Sequence, residues 1–360
     1  LTKEAAIMRH DLLSTLDIRY PIIQAPMAGV STPALAIAVS EAGALGSVAV
    51  GTSTVQQARA AIGAVREKTS RPFNVNVFTH RPAQADPVRE AAWLDWLRPH
   101  FERFGARPPA ALGEIYRSFL DDEPMFELLL ELRPAVVSFH FGLPPQDRID
   151  ALKAAGIVLF TTATSLDEAL QIEAAGIDAI VAQGIEAGGH RGMFDPAAPD
   201  PALPTFALLE QLRGKVSLPL IAAGGIMHGA HIRSAFHHGA SAVQMGSAFI
   251  ACPESMATAH HRALLARGAA LRTELTGAIS GRPARGIVNR MFTEVGAAGH
   301  PPLPDYPIAY DAAKALHAAA CAKGSQDYSV NWGGTNVGQA RAMPAGELVA
   351  MLADEMNAAA

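Results

Sequence analysis

The stretch Glu186-Ala-Gly-Gly-His-Arg-Gly192 places one ionisable ring among three glycines, directly after the apolar run AIVAQGI. A connecting turn needs one or two glycines to reach positive φ. Three within five positions point instead to a backbone that lies flat against a ligand and holds His190 over it. Imidazole is the side chain best able to take a proton near neutral pH. Two further glycine clusters close apolar runs, Gly224-Gly225 in LIAAGGI and Met245-Gly246-Ser247 in VQMGSAF. Glycine lets backbone N–H groups approach an anion closely, and Ser247 adds a hydroxyl at an expected helix start, where the dipole favours negative charge. A phosphate-bearing cofactor is the expectation. Its aromatic part would meet Ala25 and Met27 in QAPMAG, and the amides of Asn76, Gln183 and Gln244, which offer donors and acceptors without charge.

These residues need a scaffold that gathers strand ends. Apolar runs at 21–27, 44–50, 73–78, 135–142, 157–164, 179–185, 218–226 and 242–250 alternate with alanine- and leucine-rich helical stretches. Runs that are continuous rather than alternating are what strands covered on both faces require, hence a parallel sheet. Thr32 with Pro33 reads as one helix start, and Ser165 with Glu168 as a capping box closed by Gly176 at the far end. Eight strand–helix units is the count of a (β/α)8 TIM barrel, whose active site lies at the C-terminal strand ends and whose phosphate commonly sits after strands seven and eight. An open doubly wound sheet is the alternative, but GxGxxG is missing after the first strand. Residues 80–125 are too long for a plain crossover and read as helices inserted over the mouth. Residues 270–360 read as a helical C-terminal layer with a glycine-rich break at 331–340. The division is thus 1–79 and 126–269 for the cofactor barrel, 80–125 and 270–360 for a substrate-side region.

Composition narrows the function. The chain has 360 residues, is 49% apolar and 18% charged, and carries a net charge of −5 with no basic block. It can bury a large core, and there is no electrostatic case for nucleic acid or an anionic membrane. Cys252 and Cys321 make neither a disulfide framework nor a metal spacing. His228/His231 and His237/His238 lack a carboxylate partner and read as helix-surface residues, so no metal is expected. The start, LTKEAAIMRHDLL, lacks the apolar core of a signal peptide, and no apolar run reaches membrane-spanning length. A cytoplasmic protein, monomer or homodimer, is expected.

QAPMAG, FNVNVF, QGIEAGGHRG, LIAAGGI and VQMGSAF, in that order, together resemble the nitronate monooxygenase family, formerly called 2-nitropropane dioxygenases. The likeness runs through residues 20–255, and SGRPARGIVNRM (280–291) and YPIAYDAAK (306–314) extend it toward the bacterial class I type. The resemblance implies a TIM barrel with non-covalent FMN that oxidises alkyl nitronates, notably propionate 3-nitronate, with O2 and without nicotinamide. It implies that His190 is the active-site histidine and that Asn76, Gln183, Gly188, Gly225 and Gln244 to Ser247 contact FMN, with Gly189 and Gly224 beside them. Where many relatives have threonine, Ser247 keeps the hydroxyl. Tyr306, Tyr310 and Lys314 correspond to a substrate-side cluster that Tyr116 joins, and their spacing of four sets all three on one helical face. Since a nitronate needs no base, His190 is expected to act through positive charge.

Two other functions compete. An NAD(P)H-dependent flavin reductase of the enoyl-ACP reductase or quinone reductase type shares the GGH loop. A non-catalytic flavin or phosphate binder would have no use for a titratable His190. A barrel of the inosine-monophosphate-dehydrogenase type is set aside, because no cysteine follows strand six.

Overall fold

The eight apolar runs become eight parallel strands. In a computed structural model, which describes residues 12–358, the strands through residue 245 are β1 (Ile22–Gln24), β2 (Gly46–Ala49), β3 (Phe73–Phe78), β4 (Val136–His140), β5 (Val158–Ala163), β6 (Ala179–Gln183), β7 (Gly189–His190), β8 (Leu220–Ala223) and β9 (Ala242–Met245). All but β7 form one sheet in the order β1-β9-β8-β6-β5-β4-β3-β2. A parallel bridge between Ile23 and Leu45 joins its two edges, with Gln24 N–H donating to the Leu45 carbonyl at 2.9 Å. The (β/α)8 barrel is therefore what the chain forms. The start of the chain, on which the reading about secretion rests, falls largely in residues 1–11 and so lies outside the described residues. No described helix is long and apolar enough to cross a membrane.

Continuous apolar strands serve two cores at once, because successive side chains face opposite ways. Ile22, Leu159, Ile180 and Ala222 pack outward under the helices. Their neighbours Ile23, Phe160, Val181 and Ile221 pack inside the barrel with Val136, Ala179 and Ala242, and Leu12, Leu16 and Ile18 complete that inner layer. Further along the strands the inward positions turn polar: Asn76, Ser138, His140, Thr162, Gln183 and Gln244. This polar layer is the floor of the site.

The local helix signals hold in part. Thr32 accepts from Leu35 N–H at 3.0 Å, with Pro33 opening the helix Pro33–Glu41. Ser165 accepts from Glu168 N–H at 3.2 Å, and Gly176 leaves the helix Leu166–Ala174 at φ +77°. The capping box is not completed. The Glu168 carboxylate instead takes Thr164 N–H at 2.6 Å and Phe194 N–H at 2.8 Å. A charged acceptor is better used on the distant N–H of a half-buried loop than on its own helix.

The segment between β3 and β4 contributes two helices, Pro87–Glu102 and Glu123–Leu132, with an irregular stretch that carries Tyr116 between them. Its Trp93, Leu97 and Phe101 pack with Ala312 and Leu316 of the helix Ile308–Cys321 in a core separate from the barrel. The C-terminal region is less helical than expected. It contains the strands β10 (Thr273–Thr276) and β11 (Ala284–Ile287), antiparallel to each other, and β11 also pairs with β7. The last helix, Ala345–Asn357, returns to the barrel's outside and packs on Pro33–Glu41 and Gly229–His237. It fills the place in the outer ring that β9, followed only by the one-turn helix Ser247–Ile250, leaves open.

Candidate active site

A cavity of about 430 Å³ opens at the C-terminal ends of the strands, within the size range of small-molecule sites. Ala25 and Met27 line it from the turn after β1, Asn76 from β3, and Gln183 from β6. Gly188, Gly189 and His190 reach it from the following loop, Gly224 and Gly225 from the end of β8, and Gln244, Met245, Gly246 and Ser247 from β9. Tyr116, Tyr306, Tyr310 and Lys314 complete it from the insert and the C-terminal region. Every residue expected at the site thus lines the wall of this one cavity. Among the described residues that wall contains no aspartate, glutamate or arginine, and Lys314 is its one lysine.

At one end backbone geometry favours an anion. Gly224 and Gly225 have φ of +125° and +70°, a region that side-chain-bearing residues avoid. A Cβ on Gly224 would also lie 2.7 Å from Thr205 Oγ1. The nearby Glu186 carboxylate is directed elsewhere, accepting from Thr205 N–H and Oγ–H at 2.9 Å each. Ser247 Oγ accepts Gly334 N–H at 2.9 Å, so its own proton is available to a ligand. The helix it opens has a single turn, too short for the expected dipole to matter; N–H groups and the hydroxyl do the binding there.

The amides divide into free and engaged. Asn76 Nδ2 donates to the Ser138 carbonyl and hydroxyl at 3.1 and 3.0 Å, which fixes the side chain and leaves Oδ1 for a ligand. Gln244 lines the cavity with no hydrogen-bond partner for its carboxamide among the described residues. Gln183 differs. Its Nε2 donates to the His190 carbonyl at 3.0 Å, and its Oε1 accepts Gly192 N–H at 2.8 Å. Its oxygen and one of its two amide N–H groups thus hold the histidine loop.

His190 is pinned from several sides. Its backbone pairs with Ala284 on β11. Its carbonyl also accepts His140 Nε2–H at 3.2 Å, so His140 carries its proton on Nε2 and takes Thr162 Oγ–H on Nδ1 at 3.0 Å. Arg191, fully buried, forks onto Asp200 at 2.7 and 2.9 Å and donates to the carbonyls of Gln183 and Gly184 at 3.0 Å each. The His190 ring stands 5.7 Å from Phe141, 5.4 Å from Tyr306 and 5.2 Å from Trp332, centre to centre. Its Nε2 lies 2.8 Å from Ser280 Oγ. Burial, with the charges of His140, Arg282 and His80 nearby, pushes its pKa down to about 3. This holds the ring neutral at physiological pH and favours a role that does not depend on positive charge. A cation in this apolar recess would have no carboxylate to balance it.

The fixed positive charge behind the recess is Arg282. Its guanidinium lies 4.4 Å over the Phe141 ring and donates to the Met193 and Phe194 carbonyls at 3.0 and 3.2 Å. At the mouth, Lys314 Nζ sits 4.6 Å from the centre of the Tyr116 ring and 5.4 Å from that of Tyr310, a cation–π arrangement. Tyr310 and Lys314 share a face of the helix Ile308–Cys321, but Tyr306 precedes that helix and reaches the site from the chain leading into it. Burial holds Tyr306 and Tyr310 far above the ordinary phenol range and pushes Tyr116 up to about 12. All three phenols therefore stay protonated donors.

The family model for nitronate monooxygenase matches residues 9–355. The chain belongs to the nitronate monooxygenase family. It is 57% identical over 342 residues to a nitronate monooxygenase of Pseudomonas aeruginosa, covering 95% of this chain and 97% of that one. It is also 57% identical over 350 residues to one of Paraburkholderia phytofirmans, covering 97% and 95%. Among solved structures it is similar to a nitroalkane oxidase from Streptomyces ansochromogenes, with a TM-score of 0.85, 38% identity and 96% and 97% of the two chains covered. It also resembles FabK from Thermotoga maritima, with a TM-score of 0.71, 28% identity and 96% and 95% covered. The chain is an oxidoreductase that acts on nitronates.

Sequence reading passed over several residues that complete this site. His140, Phe141, Trp332, Gly333, Gly334 and Asn336 line the cavity, and Ser280 orients His190. His140 carried a signal, since a histidine closing an apolar strand is unusual unless something there needs it. The NWGG stretch looked only like a chain break.

Four histidines, two buried and two on the cavity wall, give the fold an acid sensitivity. Burial pushes His80, His140 and His261 down to about 4, and His190 lower still. Unfolded histidines titrate near about 6.5, so below that pH the unfolded chain binds more protons and stability must fall as pH falls. Each histidine adds a slope of up to about 1.4 kcal/mol per pH unit between its two pKa values. We expect urea midpoints to drop steadily from pH 6.5 to 4.5. His261, buried with Nε2 unpartnered and not part of the cavity wall, provides the check: His261→Leu should flatten the slope by one proton. An unchanged slope would place the acid sensitivity elsewhere.

Proposed function

We propose that this chain oxidises alkyl nitronates, propionate 3-nitronate among them, with O2 on a non-covalently bound FMN. The observation that carries this reading is the carboxylate-free wall, anion-binding glycines at one end and a lysine between two tyrosines at the other. In it, Gly224, Gly225 and Gly246 with the Ser247 hydroxyl take the phosphate. Asn76 Oδ1 and the Gln244 amide meet the ring's polar edge, and Ala25 and Met27 support its face. When bound, FMN supplies the electron acceptor for the nitronate and, once reduced, the electron donor to O2.

The protein's own groups bind and orient. Lys314 draws the anion to the mouth, and the protonated hydroxyls of Tyr306, Tyr310 and Tyr116 donate to it. Phe141 and Trp332 keep water from the inner recess. His190, neutral and oriented by Ser280, offers a hydrogen bond rather than a charge. On this reading the segments 1–79 and 126–269 hold the cofactor, and 80–125 and 270–360 meet the substrate.

The test is direct: purify the chain, release its pigment by heat, and follow oxygen uptake with propionate 3-nitronate and, separately, with NADH. FMN with nitronate-dependent uptake supports the proposal. A flavin bleached rapidly by NADH, with no nitronate turnover, would favour the flavin-reductase alternative. Lys314→Met sharpens the substrate. The lysine is exposed, so solvent screens it, and we expect KM for propionate 3-nitronate to rise roughly 10-fold more than for ethyl nitronate, the low end for a charge-assisted hydrogen bond. Equal changes for both would make the lysine structural.

A further inference from the structure

We infer that the segment Trp332–Asn336 is a clasp that retains the phosphate-bearing cofactor, held shut by contacts to the groups that would take the phosphate. The inference rests on the FMN reading and concerns a part of the chain of which that reading used only Trp332, to exclude water. The segment passes over the ends of β6, β8 and β9, and four of its five residues line the cavity: Trp332, Gly333, Gly334 and Asn336. Asn336 Nδ2 donates to the Gly225 carbonyl at 2.7 Å, and Gly334 N–H donates to Ser247 Oγ at 2.9 Å. Thr335 N–H donates to the Glu186 carbonyl at 3.0 Å. The clasp is thus tied to all three glycine-rich strand ends.

Close backbone contact makes the fit specific. A Cβ on Gly188 would lie 2.5 Å from both Gly333 C and Gly334 N, and one on Gly334 would lie 2.7 Å from the Glu186 carbonyl oxygen. Gly188 is therefore needed by the clasp as well as by any ligand. Both flanks are anchored. Upstream, Trp332 bridges to Gly286 on β11, and its ring faces His190. Downstream, Arg341 pairs with Glu355 at 2.8 Å on the helix Ala345–Asn357, which is itself docked on the barrel's outside. Opening the clasp breaks a few part-buried hydrogen bonds and leaves the strand pairing of the barrel in place, the kind of local opening that costs far less than global unfolding. The Gly334 N–H also fixes Ser247 Oγ as an acceptor toward the clasp, which directs its one proton to the phosphate.

The experiment measures FMN release by the rise of its fluorescence on dilution, for wild type, Asn336→Ala and Gly334→Ala, with far-UV circular dichroism to show that the barrel is retained. Loss of one neutral hydrogen bond predicts roughly 2- to 10-fold faster release from Asn336→Ala, and Gly334→Ala, which meets backbone, should be at least as fast. Wild-type protein supplies a second readout that needs no variant: FMN should slow tryptic cleavage after Arg341 relative to the apoprotein. FMN binding with wild-type release rates in both variants, or cleavage at Arg341 indifferent to FMN, would overturn the clasp alone. A wild-type chain without affinity for FMN would overturn the cofactor reading and the clasp with it.

Discussion

Asp200→Ala will destabilise the protein by about 3–5 kcal/mol, and Arg191→Met will cost clearly less. The two residues form one ion pair, yet they differ in what each leaves behind. The Arg191 side chain is 1% exposed and that of Asp200 is 20% exposed. Without Asp200, a guanidinium is stranded in the interior with only carbonyl acceptors. Without Arg191, the carboxylate can turn to water and keep its bond from Ala202 N–H, 2.9 Å away. Burial alone would raise the Asp200 carboxyl, but the Arg191 guanidinium and the Ala202 N–H hold it below the usual range, so the pair is ionised throughout the neutral region. Activity should follow stability for a specific reason. Arg191 fixes the Gln183 and Gly184 carbonyls, and Gln183 fixes the His190 carbonyl. We therefore expect kcat to fall in both variants while Lys314-dependent substrate discrimination persists. Urea denaturation and steady-state kinetics check both parts. Equal destabilisation by the two substitutions would mean that the interior rehydrates around Arg191 and that the asymmetry is illusory.

Nitronate oxidation will show no titration from His190 between pH 5 and 8, and neutral nitroalkanes will be turned over at least about 100-fold more slowly than their nitronates, the low end of what a matched general base supplies. A histidine pushed down to about 3 protonates only as pH falls toward that value; across the neutral range it is a constant, uncharged group. A base so weak captures a carbon-bound proton poorly, whereas a nitronate arrives with that proton already lost. The groups facing the ring agree: Phe141, Tyr306, Tyr310 and Trp332 are uncharged, His80 and His140 are themselves neutral in this range, and Arg282 disfavours a further cation. His190→Asn keeps a hydrogen-bonding group toward Ser280 and should retain measurable nitronate turnover with the same flat profile. The measurement is oxygen uptake against pH with freshly prepared nitronate and with nitroalkane. A wild-type rate that declines with a midpoint between 6 and 7, and loses that decline in His190→Asn, would show that the imidazolium acts after all.

The barrel and the address of the site were legible without coordinates. Continuous apolar runs such as AVVSFHFG specify strands buried on both faces, since each residue has a core to enter whichever way it points. Glycine pairs such as Gly224-Gly225 mark positive φ, which is a property of the residue itself and needs no partner. Those features put His190, Ser247 and Asn76 on one wall before any contact was known. Other features depend on which groups meet across long stretches of chain, and no local pattern carries that. Gln183 looks as available as Gln244 in sequence, but Arg191 and the loop it anchors take its oxygen and one of its two N–H groups. Tyr306 keeps the helical spacing, yet the helix begins two residues after it. The charge of His190 is illegible in sequence for the same reason: protonation is set by the free energy of placing charge in a medium, and that medium is assembled from Phe141, Arg282, Tyr306 and Trp332, which lie between 49 and 142 positions away. Type and spacing determined where a proton could sit. Only the folded surroundings decided that the ring holds one proton rather than two.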